Sequence, residues 1–79
     1  MAYYPSSKNV EIAKQFVHEN PGLTSRKVYD GLHDTKLMGH LTARKCIAAM
    51  IEDGIITRRS APNPRGGAYA LVFLTEDLE

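Results

Sequence analysis

The chain has 79 residues, 43% of them hydrophobic and 24% charged, and a formal net charge of +1. That is the composition of an ordinary globular domain, which excludes wholesale disorder, and a length that excludes a catalytic domain beside a separate regulatory one. Cys46, the single cysteine, excludes an internal disulfide and points to a reducing compartment; no leader-like segment and no run of eighteen apolar residues occurs, so a cytoplasmic, non-membrane protein is expected.

The charge is unevenly placed. Residues 1–35 balance Lys8, Lys14, Arg26 and Lys27 against Glu11, Glu19, Asp30 and Asp34. Residues 36–65 set Lys36, Arg44, Lys45, Arg58, Arg59 and Arg65 against Glu52 and Asp53 alone, and the remaining residues carry Glu76, Asp77 and Glu79 with no base. A basic middle followed by an acidic tail makes a polarised molecule.

After an arm holding Tyr3, Tyr4 and Pro5, Ser6 or Ser7 suits a helix cap, and Val10, Ile12, Ala13, Phe16 and Val17 recur at helical spacing. This first helix should stop at Asn20, because Pro21 disfavours a helical residue before it and Gly22 frees the turn. Thr24 is the expected cap of a second helix reaching about Leu32, with Val28 and Leu32 buried and Arg26, Lys27 and Asp30 outside.

The stretch HDTKLMGH, from His33 to His40, has no clear period and reads as a long connection. Thr42 then reads as the cap of a third helix with Ala43, Cys46, Ile47, Met50 and Ile51 on its apolar face and Lys45, Ala48, Ala49 and Glu52 turned away. Gly54 supplies the left-handed residue that commonly ends helices. Ile55 to Arg59 and AYALVFL read as two strands joined by the Pro/Gly-rich tip SAPNPRGG, which projects into solvent. The expected architecture is α+β, a winged helix-turn-helix in which three helices precede a two-stranded β-hairpin wing. One domain over residues 1–79 is expected, with an N-terminal arm at 1–6 and an acidic tail at 76–79.

The stretch MIEDGIITRRSAPNPRGGAYALVFLTEDLE resembles the recognition-helix end and wing of MarR-type bacterial regulators, through Glu52, Asp53, Gly54, Ile55, Ile56, Arg58, Arg59, Arg65, Leu74 and Thr75. The resemblance covers roughly residues 24–76, and PadR-like and other winged-helix families share the same turn and wing. Two features depart from the MarR pattern: the long flanking helices that form the dimer and effector pocket are missing, and no acidic residue precedes the wing arginine. No small-molecule effector is therefore expected.

The residues themselves point to double-stranded DNA. Thr42, Arg44 and Lys45 fall in the expected first turn of the third helix, where a helix entering the major groove carries its base-reading side chains, and Ala48 and Ala49 allow close approach. Arg58, Arg59, Asn63, Arg65 and Gly66 belong to a hairpin able to reach phosphates or a minor groove. Ser25, Arg26 and Lys27 open the second helix, whose amides suit a phosphate oxygen. The same charges also serve as a solvated helix face and as edge-strand charges that block aggregation.

Cys46, His33, His40 and Asp34 match no zinc spacing, so neither a metal nor another cofactor is expected. No nucleophile with a base is visible, and an enzyme is not expected. The leading expectation is a sequence-specific transcriptional regulator, a prokaryotic or viral repressor acting as a homodimer; the alternative is a winged-helix module that docks on another protein through its acidic tail and tyrosines.

Overall fold

The structure, a computed structural model, describes residues 5–79, so the expectation for Tyr3 and Tyr4 lies outside the described residues. Its elements are α1 (Ser7–Glu19), β1 (Leu23–Thr24), α2 (Ser25–Asp34), α3 (His40–Glu52), β2 (Ile56–Pro62), β3 (Ala68–Leu74) and a closing 3-10 turn (Thr75–Leu78). The described residues form an α+β fold of three helices and one antiparallel sheet.

The expected two-stranded hairpin is a three-stranded sheet of order β1-β3-β2. Leu23 pairs with Val72 and Thr24 with Leu71, and the Gly22 amide donates to the Val72 carbonyl at 3.1 Å. Two residues are too few to show the alternation by which a strand is recognised. β1 exists because β3 has a second edge whose amides and carbonyls need partners.

Each helix is delimited by local chemistry. Ser6 caps α1 by accepting from the Asn9 amide at 3.2 Å, and Asn20 closes it on the Phe16 carbonyl. Thr24 caps α2, accepting from the Lys27 amide at 3.3 Å. α2 runs to Asp34 instead of Leu32, and it stops where Lys36 takes a left-handed conformation (φ 60°). The Leu37 amide then donates to Leu32 and the Lys36 amide to His33, which satisfies the last carbonyls of the helix. The connection shrinks to residues 35–39, and Met38 within it is buried in the core.

Thr42 is not the cap of α3. The helix starts at His40, two residues earlier, after Gly39, which makes no side-chain cap bond. Without a capping side chain or a preceding period, that start leaves no mark in the sequence. β2 is also longer than expected, Ile56–Pro62 instead of Ile55 to Arg59, because an edge strand tolerates the missing amide of Pro62.

The core lies between the helices and one sheet face: Ala13, Val17, Val28, Leu32, Ala43, Cys46, Ile47 and Met50 pack with Ile56, Val72 and Leu74. α1 and α2 approach so closely that the Phe16 ring fills the space a side chain at Gly31 would need. The acidic end folds back onto α1, with His18 Nδ1 at 2.9 Å from Asp77 Oδ2 and Lys14 Nζ at 4.0 Å from Glu76 Oε1.

Two outcomes follow from these contacts. Alanine at position 31 gains helix preference of about 1 kcal/mol but overpacks against Phe16 at a cost of roughly 1–3 kcal/mol. Gly31→Ala is therefore expected to lower the thermal midpoint in the parent and to raise it in a Phe16→Ala background. The same shift in both would contradict the contact.

The hydrogen bond to Asp77, and then its charge, raise the pKa of His18 above its ordinary value of 6.5. A raised folded value means that the pair contributes stability fully below about pH 6.5, where both states are protonated, and loses it as pH rises through the folded pKa. A proton NMR titration of the His18 ring should show a midpoint above 6.5 that returns to the ordinary value in Asp77→Asn.

Candidate nucleic-acid interface

The first turn of α3 is His40 to Ala43, so Arg44 and Lys45 stand one turn further along than expected. Thr42, on that first turn, is half-buried, whereas Arg44 and Lys45 are exposed. Ala48 is also exposed, and Ala49 is half-buried against the body of the protein. The outward ridge of α3 is therefore Leu41, Arg44, Lys45 and Ala48, which share a shallow cleft with Tyr29 of α2.

A second cleft, of about 360 Å³, lies between α2 and the start of α3 and is lined by Arg26, Tyr29, Asp30, His40 and Arg44. Its one acid is engaged: His40 Nε2 lies 3.1 Å from Asp30 Oδ1, which ties the first residue of α3 to the preceding helix. The His40 ring also packs edge-on against Tyr29, with centroids 6.4 Å apart, and against His33 at 5.9 Å. Arg26 and Arg44 are thus brought to one opening by an ordered aromatic and imidazole cluster.

Lys27 faces elsewhere, towards the β1 edge, where it lines a groove with Gly22, Leu23, Thr24, Tyr69 and Leu71. Ser25, the first residue of α2, is half-buried. The sequence places Ser25, Arg26 and Lys27 side by side, but the helix turns them to different surroundings.

In the sheet, residues directly opposite on antiparallel strands share a face. Arg58 opposes Val72 and so stands on the helix-covered face, beyond the end of the core; Arg59 opposes Leu71 on the other face. That outer face also carries Thr57, Ala61, Tyr69 and Phe73, and Lys27 of α2 borders it at the groove shared with Tyr69 and Leu71. The distal half of the hairpin, from Arg58 outward on β2 and from Ala70 back to Ala68 on β3, is almost wholly exposed.

At the tip, Asn63 holds the turn. Its side-chain oxygen accepts from the Arg65 amide at 2.9 Å and its carbonyl from the Gly66 amide at 2.9 Å, so the turn is held from within. Arg65 and Gly66 are exposed on that turn. Arg58, Arg59 and Arg65 line neither of the two clefts bordered by α3. What relates the hairpin to α3 is the junction between them, closed by Thr75, which donates from Oγ1 to the Gly54 carbonyl at 2.6 Å and from its amide to Ile55 at 3.0 Å.

Among the described residues, the ion pairs take up Asp30, Glu76 and Asp77, while Arg26, Arg44, Arg58, Arg59 and Arg65 have no acid partner. Two features fell outside the sequence-derived site. Leu41 is 63% exposed on the outward ridge, and Tyr29 lines both clefts beside it. Moving the cap from Thr42 to Gly39 is what places Leu41 on the helix.

Cys46 is fully buried on α3, its Sγ 3.7 Å from Met50 Sδ, and burial pushes its thiol pKa up. Such a thiol is inert. No group of three potential ligands is arranged to hold a metal among the described residues, and no helix among them is long and apolar enough to cross a membrane. Comparisons with protein-family models, with curated proteins and with solved structures find no match to this chain.

Proposed function

We propose that this chain is a winged helix-turn-helix that binds double-stranded DNA sequence-specifically and acts as a transcriptional regulator, with α3 in the major groove and the β2–β3 hairpin as its wing. The observation that carries this reading is the set of exposed arginines without acid partners, on α2, on α3 and on the hairpin. Exposed arginines left without an acid are available to pair bidentately with an anion outside the molecule. The element order supports the same reading, because α3 leads straight into β2 and the hairpin projects beyond the helices.

The roles divide by position. Arg44, with Lys45 beside it on a helix ridge, suits the bidentate contact by which an arginine reads guanine. Arg65, on a projecting turn, suits a phosphate or a minor groove. Arg26 borders the cleft beside α3 and suits the phosphate strand that flanks the groove. The outward ridge spans few base pairs, so a useful site needs two copies. Two copies on a two-fold symmetric operator would set their α3 helices in half-sites roughly 34–36 Å apart.

The protein-docking reading keeps one favourable observation, the outer sheet face on which Tyr69 is 43% exposed. Its acidic tail is less available, since Asp77 and Glu76 are paired with α1.

Affinity for duplex DNA measured across salt should fall along a steep negative log–log slope. Arg65→Ala should weaken all sequences alike and flatten that slope by about one, whereas Arg44→Ala should relax preference at one or two base pairs at a cost of roughly 1–3 kcal/mol. Absence of binding at low salt would overturn the DNA reading. Equal effects of both substitutions on every sequence would remove the division between helix and wing.

A further inference from the structure

Along α3 the outward ridge is not uniformly basic. At about 100° per residue, Leu41, Ala48 and Glu52 fall on one line, Arg44 to one side of it and Lys45 to the other. The centre of the ridge is therefore apolar over its first two turns and becomes acidic only at Glu52. Leu41 is the most exposed large apolar side chain among the described residues, at 63%, yet it stands between two cations on a rigid helix. Its position is fixed from behind, because His40 is held by Asp30 and the ridge packs beside Tyr29.

An apolar line flanked by cations is complementary to one feature of DNA. In the major groove the phosphates lie on either side, the base edges between them are mostly polar, and the thymine 5-methyl is the apolar group presented there. Leu41 and Ala48 are separated by about 10 Å along the helix, roughly three base-pair steps. Resting on the DNA-binding reading above, we infer that Leu41 is a specificity-determining residue that packs on a thymine 5-methyl group, beside the base pair read by Arg44. Lys45, on the other flank, faces the backbone side of the groove.

The inference separates from the general reading because a methyl contact can be removed without altering charge. Duplexes selected by the parent protein from a random-sequence library supply the probe, and each thymine in the selected duplex is then replaced singly by deoxyuridine, which lacks only the methyl. One replacement should weaken the parent about fourfold, the effect of a single buried methyl. The same replacement should leave Leu41→Ala unchanged, while Leu41→Ala keeps the salt slope of the parent and its preference at the Arg44 position.

Leu41 is exposed, so Leu41→Ala is expected to fold, and an unchanged thermal midpoint checks this. Binding that is indifferent to every uridine replacement, or a replacement that weakens parent and variant equally, overturns the thymine contact and leaves DNA binding standing. Failure to enrich any duplex overturns the DNA reading and this inference with it.

Discussion

The disposition of α3 relative to the sheet depends on one clasp at Gly54. The helix ends there because Gly54 takes a left-handed conformation (φ 80°), with its amide donating to Ile51 and that of Ile55 to Met50. Thr75, at the far end of β3, closes the same turn through Oγ1 to the Gly54 carbonyl and through its amide to Ile55, and Thr57 Oγ1 lies 2.7 Å from Thr75 Oγ1. Three elements therefore meet in a few hydrogen bonds, and β2 leaves α3 in a set direction. At its other end α3 is tied to α2 by the His40–Asp30 pair. With its inner face buried and its end closed at Gly54, α3 presents its outer ridge in one orientation.

The electrostatics follow from where acids are spent. A net charge of +1 is uninformative by itself, because a strong basic footprint on one face can be offset elsewhere. Here Glu76 and Asp77 are folded back onto Lys14 and His18 on the α1 side and Asp30 is engaged by His40, while Glu52 and Asp53 stand exposed at the far end of α3. The unpaired arginines remain on α2, α3 and the hairpin. That segregation, not the total, motivates the proposed anionic ligand.

Much of the architecture was legible because its signals are local. Ser6, Thr24, Asn20 and Gly54 act at the positions where their chemistry predicts, and the apolar residues of α1 and α3 bury as their spacing requires. The misses share a cause: the deciding interaction is distant in sequence or carries no side-chain signature. β1 is defined by β3, some fifty residues away, and α3 begins at an uncapped Gly39 while Thr42, three residues later, resembles a cap. Met38 sits in an aperiodic stretch, and its burial in the core comes from tertiary packing that the local pattern does not show.

The site was legible in composition and less so in geometry. Arg26 and Arg44, eighteen residues apart, line one cleft, whereas the neighbours Arg58 and Arg59 stand on opposite faces of a strand. Whether α3 and the hairpin tip face one duplex is tested most directly by recording amide shifts of isotope-labelled protein as duplex DNA is added at low salt. Shifts concentrated at Leu41, Arg44, Lys45 and Ala48 and at Arg65, Gly66 and Gly67 are predicted. Shifts confined to Tyr69, Leu71 and Phe73 on the outer sheet face, or no shifts at all, would contradict it.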